Sequence, residues 1–266
     1  MHAFEYHRPN STKDAIALAE KKPEGRYLAG GQSLVQAMKL RLSSPTDLVD
    51  LNAISDLKTL KVEGSTVVIG AMVRHAEVAA SSAVRKAIPA LAALADIIGD
   101  RQVRHMGTIG GSLANNDPAA DYSAAVLGLG ATLTTNKRKI EADSFFKGLF
   151  ETALAPGELI TQVAFPAPKR AAYMKFKNPA SRFAIVGVFV ADFGGGKVRV
   201  AVTGAGPSVF RQAEMEKALS AKFAPESVAN IKVKQDGLNN DLHASPEYRA
   251  HLVTIMAKRA VEAALK

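Results

Sequence analysis

The chain has 266 residues, and 34 Lys+Arg stand against 25 Asp+Glu, a formal net charge of +9. A chain of this size buries a core without disulfides or metals, and having no cysteine it excludes disulfides, a thiol nucleophile, thiolate zinc and an all-cysteine iron–sulfur cluster. No apolar run reaches the ~18 residues of a membrane span, and MHAFEYHRPNSTKD lacks a secretory pattern, so a cytoplasmic protein is expected.

Ser11-Thr12-Lys13-Asp14 reads as a capping box opening a helix that stops at Lys21-Lys22-Pro23. A short strand from Arg26 to Ala29 runs into Gly30-Gly31, a helix follows from Ser33 to about Leu42, and Asp47 to Leu51 returns as a strand. Together these make a β–α–β-like unit of about 50 residues. Leu57 to Val73 alternates around Glu63-Gly64-Ser65 and predicts a hairpin. Ala76 to Ile98 is alanine-rich with a break near Pro89, and Gly99 suits a helix end. A second glycine-rich turn, Gly107 to Gly111, precedes a helix from Asp121 to Gly128. A hairpin turning at Asn136-Lys137 and a strand from Leu159 to Phe165 follow.

Pro166 to Arg170 is the best domain boundary. Beyond it, Val186 to Phe193 and Lys197 to Val202 flank Gly194-Gly195-Gly196 as a long antiparallel hairpin. Three helical segments start near Phe210, Pro225 and Ser245, the last capped by Ser245 with Pro246 behind it.

The two glycine pairs are the leading candidates for chemistry. Ala29-Gly30-Gly31-Gln32-Ser33 and Thr108-Ile109-Gly110-Gly111-Ser112 each follow an apolar segment and end in Ser. Glycine permits positive φ and close backbone approach, and successive N–H groups form an anion nest. Ser33, Thr108 and Ser112 add hydroxyl donors, and the helix after Ser33 adds a positive end. Two such loops brought together would grip a pyrophosphate; two ordinary tight turns are the alternative. Asp121, ten residues after Gly111, would hold a ribose hydroxyl, cap a helix, or sit in solvent.

Other motifs fail. Gly128-Leu129-Gly130 and Gly204-Ala205-Gly206 lack the third glycine of the dinucleotide fingerprint, and Gly194 to Lys197 lacks the P-loop frame. No pair among the six histidines has metal-ligand spacing with a third ligand nearby; His75 and His105 read as turn or helix-end residues. Basic residues form only the tight groups Lys137-Arg138-Lys139, Lys169-Arg170 and Lys232/Lys234, none interleaved with aromatics, which reads as solvated surface rather than a nucleic-acid site.

AGGQS at 29–33, IGDRQVRHMGTIGGSLANNDPAADYSA at 98–124 and YMKFKNPASRFAIVGV at 173–188 resemble the FAD-binding medium subunit of molybdenum hydroxylases. Carbon monoxide dehydrogenase medium subunits are the nearest type, and the flavin domain of xanthine dehydrogenase is a more distant one. TGAGPSVFR at 203–211 and residues 245–264 resemble the C-terminal domain of the same subunits. The resemblance covers nearly the whole chain.

It implies an α+β fold. An FAD-binding PCMH-type region, residues 1–168, has two α/β subdomains at about 1–55 and 56–168; residues 169–266 form a three-stranded antiparallel sheet with helices. It implies that Ala29, Gly30, Gly31, Gln32 and Ser33, with Thr108, Ile109, Gly110, Gly111 and Ser112, wrap the FAD pyrophosphate. Asp121 would contact the nucleotide half, and Lys175 would lie near the flavin ring. Ile97 or Ile98 would lie at the ring, with Leu159 or Ile160 packed nearby; Ile98 and Ile160 are the choices. Gln32 replaces the histidine of the usual AGGHS loop, and Phe183 stands where a ring-covering tyrosine is common.

The function implied is electron relay in a dimer of heterotrimers. Substrate is oxidised at a molybdenum cofactor in a large subunit. Electrons cross two [2Fe-2S] clusters in a small subunit, reach FAD here, and leave to an external acceptor. No residue is assigned a catalytic role, since the flavin carries the chemistry. A stand-alone FAD oxidoreductase of related fold is the alternative reading.

Overall fold

A computed structural model describes the whole chain, Met1–Lys266. Its first layer is a parallel three-stranded sheet built from β1 (Glu5–His7), α1 (Thr12–Lys21), β2 (Arg26–Leu28), α2 (Leu34–Lys39) and β3 (Asp47–Asp50), in strand order β1-β3-β2. The Ser11 hydroxyl caps α1 by accepting from the Asp14 N–H at 3.1 Å. All four residues of β3 are buried, because it pairs on both edges and packs under α1. The helix expected as far as Leu42 ends at Lys39, and Arg41 takes a left-handed φ of 59° that no continuing helix allows.

The second layer is an antiparallel five-stranded sheet. β4 (Leu60–Glu63) and β5 (Thr66–Gly70) form the expected hairpin around Gly64. The alanine-rich stretch folds as three short helices, α3 (His75–Ala80), α4 (Ser82–Ala87) and α5 (Pro89–Asp96). Ser81 adds a break that the expected single break near Pro89 did not include; its hydroxyl accepts from the Val84 N–H and starts a new helix.

Next come α6 (Arg101–Met106), α7 (Ile109–Asn115) and α8 (Asp121–Leu129). The second glycine pair is therefore the first turn of a helix rather than a free turn, with Thr108 as its cap. The chain continues through β6 (Thr132–Thr135), β7 (Lys139–Glu141), α9 (Ala142–Phe145), β8 (Phe146–Gly148), β9 (Glu151–Thr152) and β10 (Ile160–Pro166). Strand order is β4-β5-β10-β6-β7, with β8 and β9 apart as a two-stranded ribbon.

The third layer holds β11 (Arg170–Lys177), β12 (Ala184–Asp192), β13 (Val198–Thr203), β14 (Phe210–Arg211), α10 (Ala213–Ala221), α11 (Glu226–Ala229) and α12 (Pro246–Ala264). Three long strands form the expected antiparallel sheet. A fourth, the two-residue β14, adds to its edge where a helix was expected to begin. Every residue of β12 is buried. Val186, Val188 and Val190 join the core under α12, while Phe189 and Ala191 join the core shared with α8. One strand thus closes two cores, the reason its sequence is continuously apolar rather than alternating.

Candidate functional site

A cleft of about 740 Å³ runs between the parallel layer, the 107–121 segment and the hairpin that joins β11 to β12. That size falls within the range of ligand pockets. The first loop, Ala29 to Ser33, forms one wall, and Thr108, Gly110, Gly111 and Ser112 face it.

The two loops meet through glycine. A Cβ on Gly30 would fall inside van der Waals contact with the Met106 carbonyl and 2.7 Å from the Gly107 Cα. On Gly110 it would meet the Ala71 carbonyl at 2.7 Å. Both glycines are therefore required by chain-on-chain packing, which sets the cleft width. Gly31 serves differently, turning the loop with a φ of +72°.

The loops differ in their donors. In the second, the N–H groups are spent inside the protein. Ile109 donates to the Val73 carbonyl, Gly110 to the Ala71 carbonyl and Gly111 to Thr108 Oγ1. In the first, the N–H groups of Gly30, Gly31, Gln32 and Ser33 donate to no acceptor in the chain. The anion nest thus lies on the first loop. The second adds hydroxyls, since neither Thr108 nor Ser112 donates its hydroxyl proton within the chain. Helix α2 has six residues and α7 seven, so helix dipoles add little to these local donors.

The cleft is not basic: its acidic lining residues outnumber its basic ones. Arg26 and Arg182 line it together with Asp100, Asp117, Asp121 and Glu158. The surplus of +9 therefore lies elsewhere on the surface. Burial pushes the Asp117 carboxyl up, against one hydrogen bond from the Ala119 N–H.

Asp121 lines the cleft with both carboxylate oxygens engaged. Tyr173 donates its hydroxyl to one at 2.6 Å, and Lys175 donates to the other at 3.0 Å. Burial pushes this carboxyl up, opposed by the Lys175 ammonium and the Tyr173 hydroxyl. Lys175 also donates to the Ile97 carbonyl at 3.1 Å, and its side chain is only 2 % exposed. The sequence reading put Asp121 and Lys175 at separate parts of a cofactor; here they form one buried ion pair, and Lys175 does not line the cleft. Ile109 is also removed from it, being fully buried in the main core. Ile98, Leu159, Ile160 and Phe183 do line the cleft, whereas Ile97 does not. Phe183 is 49 % exposed and lines the cleft, as do Gln32 and Ser33.

Three features escaped the sequence reading. Tyr173 anchors Asp121. Phe150, 59 % exposed and held at a left-handed φ of 54°, projects at the cleft edge. Its turn is gripped by Asn116, whose Nδ2 donates to the Gly148 and Glu151 carbonyls at 2.8 and 2.7 Å. His75 opens α3 as a helix-end residue, as expected, yet it also lines the cleft. Burial, aided by nearby Arg104, pushes its imidazole down to about 4, so it is neutral at physiological pH. No residue pattern marked these positions, because each depends on neighbours distant in sequence.

Unpaired N–H groups on one loop, hydroxyls on the other and apolar residues in the lining suit a protein that holds a phosphorylated cofactor. Residues 2–168 match the family described as the FAD binding domain in molybdopterin dehydrogenase. Residues 171–264 match the CO dehydrogenase flavoprotein C-terminal domain. The chain belongs to this family of molybdopterin-dehydrogenase flavoprotein subunits. It is 34 % identical over 277 residues to the carbon monoxide dehydrogenase medium chain of Hydrogenophaga pseudoflava, covering 98 % of this chain and 96 % of that one. Its fold is similar to reconstituted CO dehydrogenase from Oligotropha carboxidovorans, with TM-score 0.92 and 33 % identity over 99 % of this chain and 98 % of that one. It is also similar to quinoline 2-oxidoreductase from Pseudomonas putida 86, with TM-score 0.91 and 28 % identity over 99 % of this chain and 97 % of that one.

Proposed function

We propose that this chain is the FAD-carrying electron-transfer subunit of a molybdenum hydroxylase. In this reading a large molybdenum-cofactor subunit and a small [2Fe-2S] subunit complete a heterotrimer that pairs into a dimer. The chain divides near residue 168, a reading supported by the end of β10 at Pro166 and the start of β11 at Arg170. The compartment is the cytoplasm; no helix is long and apolar enough to cross a membrane.

The observation that carries the reading is the run of four uncommitted N–H groups, Gly30 to Ser33, facing the hydroxyls of Thr108 and Ser112 across the cleft. That donor set suits a pyrophosphate, whose oxygens accept from neutral N–H and O–H groups. Ile98, Leu159, Ile160 and Phe183 give the apolar surface that planar rings need. When bound, FAD exchanges electrons singly or in pairs, which links cluster-held electrons to an outside acceptor.

This chain's part is to bind and orient. The Gly30–Gly107 contact fixes the spacing of the walls. The Tyr173–Asp121–Lys175 network ties α8 to β11 and to Ile97, holding the cleft floor against the third layer. Phe183 and Arg182 sit on the hairpin at the mouth, where they limit water entry. The substrate is set in another polypeptide, since the relatives named above act on different molecules.

The test is to purify the chain with its co-expressed small and large partners and add candidate substrates anaerobically. The account predicts substrate-dependent bleaching of the flavin absorbance that disappears when the small subunit is omitted. Bleaching by the isolated chain, with an alcohol or nicotinamide donor, would favour the stand-alone oxidoreductase instead.

A further inference from the structure

His75 is the buried polar side chain of the cleft that the protein leaves unsatisfied. It is 5 % exposed, lines the cleft, and sits at the start of α3. Its backbone N–H donates to the Gly107 carbonyl at 3.0 Å. Its imidazole is oriented by packing: the Tyr122 ring lies with its centroid 5.2 Å away, tilted by 51°. Neither ring nitrogen has a hydrogen bond within the chain, and Nδ1 is fully enclosed without a partner. A buried unpartnered polar group costs about 1–3 kcal/mol; Nδ1 is closed off from the cleft, and Nε2, which has no partner in the chain and is not enclosed, is the nitrogen a bound molecule can reach.

Its place identifies that partner. Nε2 lies against the Gly107 backbone, close enough that a Cβ on Gly107 would meet it at 2.6 Å. Gly107 in turn packs against Gly30. The imidazole is therefore stacked beneath the seam where the two glycine loops meet. The loops' other donors at this seam are uncharged, and cleft carboxylates offset the two arginines.

We propose that His75, through Nε2, is a direct hydrogen-bond donor to the pyrophosphate of the bound dinucleotide. This rests on the FAD reading above and adds a contact that the glycine loops alone do not supply.

The experiment uses the co-purified complex with its flavin removed and FAD added back. His75→Leu keeps similar bulk and removes both nitrogens, and His75→Gln retains an N–H donor. The readouts are FAD affinity, the ³¹P resonances of bound FAD, and thermal unfolding of the flavin-free protein. We expect His75→Leu to weaken FAD about tenfold to a hundredfold, the usual worth of a hydrogen bond to a charged group. We expect it to shift the ³¹P signals and to leave the flavin-free protein as stable as the wild type or more so. His75→Gln should recover part of the affinity.

Unchanged FAD affinity and ³¹P signals in His75→Leu would overturn the proposal. So would a loss of stability in the flavin-free variant with affinity unchanged once folded, which would make His75 a packing residue. If wild type itself binds no FAD, the functional reading fails and this contact falls with it; binding by wild type alone separates the two failures.

Discussion

At Gly30 a single missing atom sets the distance between the walls of the cleft. The Cβ of an alanine there would drive into the Met106 carbonyl, a backbone atom with no room to yield. Gly30→Ala should therefore cost about 1–3 kcal/mol, as overpacking does, and should weaken FAD binding by parting the loops. Gly64→Ala is the contrast. Its Cβ would meet nothing within 4 Å, so only its φ of +59° opposes the change. The expected cost is about 1 kcal/mol with FAD binding intact. Urea unfolding and an FAD titration on both variants check this. Gly110 is a poor probe by comparison, because its neighbours at Ala71 belong to the main core. From residue type and spacing the first glycine loop read as either an anion nest or an ordinary tight turn; its place on the cleft wall is seen only in the fold. The unequal roles of the two loops were not legible. Which N–H groups are free depends on Val73 and Ala71, more than thirty positions upstream of the second loop.

Among elements, the segment before β10 shows how a surface loop becomes a rigid wall. Glu158, buried in that segment, accepts from Thr135 Oγ1 at 2.7 Å, from Arg138 Nε at 3.0 Å and from the Ala155 N–H at 2.8 Å. Burial alone would push this carboxyl up, yet the hydrogen bonds from Arg138, Ala155 and Thr135 outweigh it and hold it at about 2, below its ordinary 4.5. A depressed carboxyl stabilises the fold fully above its unfolded value. That contribution is lost as the pH falls from about 4.5 toward 2. Glu158→Gln should be less stable than wild type at neutral pH and should show a flatter stability profile across that window. Denaturation at a series of pH values measures it; a parallel profile would refute the assignment. Hairpins and helix caps such as Ser11 and Ser245 were legible because their signals are local. The early end of α2 and the split at Ser81 were not, since a left-handed Arg41 and a serine cap compete with a continuing helical pattern.

For the whole molecule, the net charge of +9 and the cleft, whose lining is not basic, belong to different surfaces. Phosphate recognition by neutral N–H and O–H donors is weakly screened by salt, whereas a basic surface meeting an anion is strongly screened. FAD affinity should therefore change less than about threefold between low and moderate salt. Affinity for a duplex oligonucleotide, if present at all, should fall steeply. Fluorescence titrations at several salt concentrations distinguish the two. The family resemblance was readable over nearly the whole sequence because its motifs are contiguous runs of residue types, whether they line the cleft, as AGGQS does, or lie away from it, as residues 203–211 and 245–264 do. The junction between layers was not, since Asp143 meets Arg199 and Arg211 only once the fold brings α9 beside β13 and β14.

The central claim is that this chain holds FAD. Its most direct test is the visible spectrum of the chain purified with its co-expressed partners and desalted, with the released cofactor identified by mass spectrometry. The account predicts an oxidised-flavin spectrum and one FAD per chain. A colourless complex that takes up no added FAD, or one that releases FMN alone, would contradict it.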